Sequence, residues 1–443
     1  MDEPSPDLLP PRPLRHHLAL TVYWLSNTLL WGALLHQGLQ SRLGDWFGES
    51  RVGFYFAFVG FTGGIVGTAV QIAIGAVSDR SLHPWGRRRP YVAVGSVLAA
   101  GSLLLLGGAK SFWPFAGAFL LVQLSTNVAL GPFTALLPDT INPREHGKAS
   151  GLMGVARLLG DTGGLVLAAA LLGTAAKGRE ATLWRDARMP VLCAVMAGFI
   201  FVTMLVTCWT IREQPLKRRP QATTWQTIVD SFKVDIRGNP DFFWLSVSRA
   251  VTNVGFYMFL EVLLFFVQYT LGEPNPQQAT MRLMLPAIAM AALSSVPSGV
   301  LSDRIGRRRL IFLSQFLMAA GAALFVVAPN LRVATLAGLP AGLAYGVFTA
   351  VEWALACNLL PQGQAARYLG VWNASAVIPQ ILGFVLAGVI GSAISNEWPG
   401  VGWRADFVIA LVCCLVGAYF LRFVRERAPT PVQPVPDETV SLA

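Results

Sequence analysis

The chain has 443 residues, of which 54% are hydrophobic and only 13% charged, and its formal net charge is +10. A soluble domain carries roughly 25% charged residues to hydrate its surface, so this composition excludes an ordinary soluble enzyme or binding domain. The positive charge would suit nucleic acid, but it sits in short loops between apolar runs, where basic residues set membrane topology.

The first residues, through Pro13, are acidic and proline-rich, unlike a cleavable signal peptide. Insertion through the first spanning helix is expected. A spanning helix needs about 20 apolar residues, because the hydrocarbon core is roughly 30 Å thick and a helix rises about 1.5 Å per residue. Twelve such segments are predicted, at 17–40, 52–77, 90–108, 113–137, 149–175, 190–211, 242–270, 281–301, 310–328, 333–360, 368–393 and 405–424. The basic loops Arg87–Arg89, Lys217–Arg219 and Arg307–Arg309 fall on one side of this arrangement. Arg179, Arg185 and Arg188 are expected in a loop on the other. The excess of arginine and lysine assigns the first side, with both termini, to the cytoplasm.

The predicted organisation is a tail at 1–16, a six-helix bundle at 17–211, a linker at 212–240, a second bundle at 241–424 and a tail at 425–443. Within the linker, Thr224–Ile236 reads as a short amphipathic surface helix. The proline-rich tail from Ala428 is expected to be disordered. The five cysteines fall within predicted spans and offer neither a disulfide framework nor metal-ligand spacing.

The two bundles repeat one another. Gly75-Ala-Val-Ser78-Asp79-Arg80 recurs as Gly299-Val-Leu-Ser302-Asp303-Arg304, and Leu136-Leu137-Pro138 as Leu359-Leu360-Pro361. Two separate matches at nearly one offset indicate a duplicated six-helix unit. The first copy continues through Ser81–Trp85 to Gly86-Arg87-Arg88-Arg89, the second through Ile305 to Gly306-Arg307-Arg308-Arg309. Gly75 and Gly299 would permit close helix contact. Asp79 and Asp303 would cap a neighbouring helix N-terminus or pair with an arginine, latching one conformation. The plainer reading is a topology signal alone.

This doubled loop resembles the signature G-x-x-x-D-R-x-G-R-R of the major facilitator superfamily. The longer first copy resembles that of the sucrose/proton symporter (glycoside-pentoside-hexuronide-like) family. Gly131-Pro132-Phe-Thr-Ala135-Leu136-Leu137-Pro-Asp139 and Leu159-Gly160-Asp161-Thr-Gly-Gly164 resemble further motifs of that family, with Asp161 in place of asparagine. The resemblance implies an all-α membrane fold of twelve transmembrane helices in two pseudo-symmetric six-helix bundles. It also implies alternating access, proton as coupling ion, no other cofactor or metal, and a monomer in the cytoplasmic membrane, bound to lipid and solute rather than to nucleic acid. The acid matching Asp139 is the family's proton carrier. The arginine that the family places soon after it, near Gly147, is absent here, though Arg144 and Lys148 stand close.

Charges inside a bilayer are costly and mark function by default. Asp161 follows Arg157 by one turn, so the two share a helix face and can pair. Arg249, Asn253, Tyr257 and Glu261 form one polar stripe that should face a central cavity. Tyr345 and Glu352 share a face of the tenth helix, with Trp353 adjoining. Glu352 and Arg249 lie at similar depth and could meet. Asp139, Asp161, Glu261 and Glu352 are the candidate proton carriers. Tyr23, Asn27, Trp31, Gln123, Asn127, Asn253, Tyr257, Tyr345, Trp353, Asn373 and Gln380 are candidate solute contacts, since amides bond hydroxyls and aromatic faces stack on sugar rings. His36, near the end of the first span, is expected to be solvated.

No G-x-x-x-x-G-K-[ST], HExxH or G-x-S-x-G motif occurs, so an enzyme is not expected. Three functions remain open at this point. They are proton-coupled uptake of a sugar or similar polar solute, proton-coupled export of a drug or metabolite, and a non-transporting receptor or assembly factor on the same fold. Sodium remains an alternative coupling ion.

Overall fold

The computed structural model describes residues 13–141, 145–213, 238–359 and 365–425. The expected linker helix at 224–236 and the tail from Ala428 lie outside the described residues. The helices are α1 (Leu14–Ala33), α2 (Leu39–Ser78), α3 (Arg89–Gly108), α4 (Phe112–Thr140), α5 (His146–Leu172) and α6 (Arg179–Thr210) in the first half. The second half holds α7 (Pro240–Glu261), α8 (Pro276–Ile305), α9 (Arg307–Val327), α10 (Leu331–Leu359), α11 (Ala365–Glu397) and α12 (Gly402–Leu421). The π-helical segments Leu34–Gly38 and Phe266–Thr270 extend the first and seventh spans. Pro90, Pro240 and Pro276 stand in the first turns of α3, α7 and α8, where a missing N–H costs nothing.

Among the described residues, eleven helical stretches are long and apolar enough to cross a membrane, but the first is 65 residues, Leu14–Ser78. Unbroken, it would run roughly 100 Å at about 1.5 Å per residue, three bilayer thicknesses. It is broken at Gly48, whose φ of 62° and ψ of −176° leave the helix, a conformation that glycine adopts without steric cost. The chain reverses there. Tyr23 and Arg42 of the first span reach Ser96 of α3 and Ala109 just past its end, in parallel order, whereas α2 runs parallel to α4, with Gly63 beside Phe119 and Gly67 beside Asn127. Two spans therefore form as the sequence predicts, but the connection expected over 41–51 shrinks to a single residue.

A second correction concerns α6. It begins at Arg179, so Arg179, Arg185 and Arg188, expected in a loop, are helical. Arg185 bonds Asp45 and Arg42 bonds Asp186 at 2.7 Å. These pairs neutralise the charges that made the segment look like a loop.

Packing repeats between the halves. Helix α1 lies on α5 and α6, α2 on α4, and α3 on α4 and α6. Equivalently, α7 lies on α11 and α12, α8 on α10, and α9 on α10 and α12. The halves meet through α2 on α11 and α5 on α8, contacts that a two-fold exchange interconverts. Gly53 and Gly388 make the first contact possible, since a Cβ on Gly53 would come within 2.0 Å of the Gly388 carbonyl oxygen. Among the described residues, cross-half hydrogen bonds occur at the face away from the two repeated loops. The Gly53 N–H donates to Ser392 Oγ (2.9 Å), the Gly400 N–H to Glu49 Oε1 (2.8 Å), Gln277 Nε2 to Ser41 Oγ (2.9 Å) and Gln37 Nε2 to the Gln277 carbonyl (3.0 Å).

Candidate functional site

Between the halves lies a cavity of about 540 Å³, within the range of small-molecule sites, roughly 300–1,000 Å³. It is closed by the cross-half bonds on one side, and its lining continues toward the loop face as far as Gln71 and Leu130. The walls mix aromatic faces with amides. Of the residues expected from sequence, Asn27, Trp31, Gln123, Asn127, Tyr257, Tyr345 and Gln380 line it, as do Arg157, Asp161 and Glu261. The i+4 spacing of Asn27 with Trp31, and of Gln123 with Asn127, puts each pair on one helix face. Asn127 Nδ2 donates to the Gln123 backbone carbonyl at 2.8 Å, which fixes the orientation of its amide.

The charges are arranged differently from the sequence expectation. Asp161 does not pair with Arg157. Its Oδ1 lies 3.4 Å from Nε2 of His36. His36 is buried rather than solvated, because the π-helical segment turns it inward between α1 and α5. The Asp161 carboxylate remains 43% exposed, into the cavity. Arg157 is exposed to the same cavity, within electrostatic reach of Tyr345, Tyr257 and Asp161. Glu261 enters from α7 where that helix ends.

At the loop face the first repeat is a closed ionic network. Arg88 pairs with Asp79, donates from Nε to Asp139 Oδ2 at 3.0 Å and from Nη1 to Ser78 Oγ at 2.7 Å. Arg87 reaches Asp139 Oδ1 at 2.5 Å. Glu213 accepts the backbone N–H groups of Arg88 and Arg89 at 2.9 and 3.0 Å, capping α3. Asp139 is therefore clamped by two arginines away from the central cavity. Asp79 pairs with arginine rather than capping a helix, and Gly86, at φ 111°, forms the turn before the cluster. Arg80 lies in the separate turn that ends α2, its N–H donating to the Val77 carbonyl at 3.2 Å. In the second repeat Arg307 Nη1 donates to the Ala354 carbonyl at 2.7 Å, Gly306 turns the chain at φ 94°, and Arg304 is exposed. The Asp303 side chain lies outside the described residues. Gly75 and Gly299 do not serve close contact here, since a Cβ on either would meet nothing within 4 Å. Among the described residues, the hydrogen bonds found between the halves lie at the far face.

Residues 53–392 match the family described as MFS/sugar transport protein. The chain belongs to that family of the major facilitator superfamily. It is 23% identical over 445 residues to Sucrose transport protein SUT5 of Oryza sativa subsp. indica, across 84% of this chain and 82% of the relative. Its fold resembles a bacterial homolog to human lysosomal transporter Spinster in an inward-facing and unoccupied conformation, with a TM-score of 0.73, 15% identity, and coverage of 95% of this chain and 100% of that one. It also resembles a D-xylose-proton symporter, with a TM-score of 0.70, 16% identity, and coverage of 93% and 98%. The molecule is a multi-spanning secondary active transporter, and its fold is not of an enzyme type.

Other expected residues of this major facilitator protein lie off the cavity. Arg249 Nε is 3.8 Å from Glu352 Oε2, and its guanidinium lies 3.8 Å over the Trp372 ring centre. This pair is sealed, with side-chain exposures of 16% and 4%. Tyr23 is buried and bonds Ser96 Oγ at 2.7 Å. Asn253 is buried against the Ser375 carbonyl at 3.5 Å, and Trp353 is half exposed beside Trp372. The Asn373 side chain lies outside the described residues. Conversely, Trp24, Thr68, Gln71, Phe119 and His36 line the cavity without having been singled out as contacts. Gln71 and His36 carried the signal that finds Gln123, a polar group inside an apolar span.

Proposed function

We propose that this protein is a proton symporter carrying a small polar solute, a sugar or glycoside, across the cytoplasmic membrane by alternating access. It works as a monomer with both termini in the cytoplasm. The observation that carries the reading is the central cavity, where the amides Asn27, Gln71, Gln123, Asn127 and Gln380 stand among Trp24, Trp31, Phe119 and Tyr257. Hydroxyls need both donors and acceptors, which amides supply together, while ring faces stack on aromatics. A similarity to a sucrose transport protein supports the same class. With the basic loops in the cytoplasm, the bonded face is extracellular and the conformation is inward-facing. At least one of Asp139, Asp161, Glu261 and Glu352 carries the proton, and the cavity exposure of Asp161 favours it over Asp139.

The test is uptake by proteoliposomes. An imposed inward pH gradient should drive accumulation of one or more of a panel of mono- and disaccharides and glycosides, and excess unlabelled solute should drive counterflow without a gradient. A sodium gradient that works where the pH gradient fails would overturn the proton assignment. Counterflow with no member of the panel would overturn the sugar assignment.

A further inference from the structure

The segment around His36 departs from a plain helix, and its counterpart in the second half does the same. In the first span the π-helical segment Leu34–Gly38 carries His36. In the seventh, α7 stops at Glu261 and a π-helical segment follows at Phe266–Thr270. Such segments are rare and are frequent at functional sites. The first reaches the central cavity at His36, and in the second half Glu261, the last residue of α7 before this irregular stretch, lines the same cavity.

The polar atoms there are incompletely satisfied. Nε2 of His36 lies 3.4 Å from Asp161 Oδ1. Its other nitrogen, Nδ1, is sealed from solvent without a hydrogen bond, and so is Oε2 of Glu261. The imidazole and the Glu261 carboxyl are close enough to interact electrostatically. The other ionisable groups facing this cluster are Arg157, one turn from Asp161 on α5, Tyr257, one turn from Glu261 on α7, and Tyr345 of α10.

A buried polar atom without a partner costs free energy. Two of them, one from each half, stand at the wall of one cavity, where His36 and Glu261 are not yet within ion-pair distance. A single added proton gives the imidazole a donor for each acid once Glu261 closes on it. Neutral imidazole has one N–H donor, whereas imidazolium has two, so Nε2–H can serve Asp161 while Nδ1–H serves Glu261. We propose that His36 is a proton-binding site of the transport cycle, its imidazolium bridging Asp161 of the first half to Glu261 of the second while the halves are joined at the face away from the loops. This rests on the proton-symport reading. The chemistry is one N–H bond formed or broken. The proton arrives at the imidazole from cavity water, raises the charge of the cluster by one, and returns to water when the halves part and Glu261 withdraws. Protonation is thereby tied to which face is closed, as coupling requires.

The test compares wild type, His36→Gln and Glu261→Gln in proteoliposomes, each checked as a monodisperse species in detergent. In the wild type, a pH gradient should drive accumulation, and counterflow should vary with pH. In each variant, accumulation should fall to the equilibrium level and the remaining counterflow should lose its pH dependence. Wild-type accumulation retained in His36→Gln, or a pH profile left unmoved in both variants, overturns the proposal while leaving proton symport intact. No pH-driven accumulation in the wild type itself overturns proton symport and this site together. If His36→Gln does not fold, Glu261→Gln, which keeps the imidazole, decides by the same two readouts.

Discussion

Two acid–base pairs in the described helices, Asp161 with His36 and Arg249 with Glu352, differ in access. Asp161 and His36 belong to the first half, and the Asp161 carboxylate opens onto the cavity. Arg249 and Glu352 belong to the second half and are sealed beside Trp372. The sequence treats the two alike, since each places a charge in an apolar helix. The structure separates them. A pair that water and solute reach can exchange a proton or a partner during a cycle. A sealed pair with one long contact is held because removing either member strands the other. Under the proposed function, position relative to the cavity, not the presence of a charge, is what would divide a coupling pair from an architectural one.

The largest expected effect is on the sealed pair. Arg249→Gln or Glu352→Gln alone should cost about 3–5 kcal/mol, the usual penalty of an orphaned buried charge. The double substitution should be milder than either single one, by thermal unfolding in detergent. Simple addition of the two losses would show that the residues do not act as a pair. Next is Asp161→Asn. One pH unit is worth about 1.4 kcal/mol, so a one-unit gradient supports up to about tenfold accumulation with one proton per solute. The variant should bring that ratio to unity while counterflow continues and the unfolding temperature stays near wild type. A variant that accumulates normally would remove Asp161 from coupling.

A smaller contrast concerns access itself. In a chain whose own cysteines are replaced by serine, Asn27→Cys should react with a water-soluble maleimide on the order of tenfold faster than Asn253→Cys, because reactivity requires an accessible thiolate. Equal rates would mean that the polar stripe of α7 opens to the cavity along its whole length. The smallest effect on transport is at the loop face. Asp139→Asn weakens a clamp whose side chains are only 6–26% exposed, but Arg88 keeps Asp79 and Ser78 as partners, so the loss should be about 1–3 kcal/mol, the worth of a hydrogen bond to a charged group. Unfolding should move by only a few degrees and gradient-driven accumulation should persist. Loss of accumulation there would shift the coupling site from the cavity to the loop.

Much of the fold was legible because spanning helices are set by local composition. Apolar length gave the spans, and the repeated Gly-x-x-Ser-Asp-Arg loops gave the two halves. Helical periodicity brought Arg249 and Glu352 to the same depth, and put Asn27 with Trp31 and Gln123 with Asn127 on single faces. What periodicity cannot supply is the rotation of each helix against its neighbours. Asp161 and Arg157 share a face of α5, yet the carboxylate turns to His36, because the π-helical segment changes which way His36 points. The same limit explains α6. Its first turns are charged, so they read as a loop, but Asp45 and Asp186 neutralise Arg185 and Arg42 once α6 packs beside the first span. The reversal at Gly48 was hidden for another reason, since a single glycine replaces the longer connection that polar residues suggested.

The backbone contact between Gly53 and Gly388 has a mechanical consequence. It lies just past the break at Gly48, and the helix rises through 25 residue steps from Gly53 to Ser78. That stretch is a rigid arm of about 38 Å at 1.5 Å per residue. With no side chains between the two backbones, the helices can roll on each other like crossed rods, and friction from interdigitated ridges is least at that point. Were the halves to turn about it by about 10°, the loop end of the arm would sweep roughly 6–7 Å, enough to admit or shut out a small solute, while the near end hardly moved. A bulkier residue at either glycine would lift the fulcrum, and the same turn would then have to break the hydrogen bonds beside it.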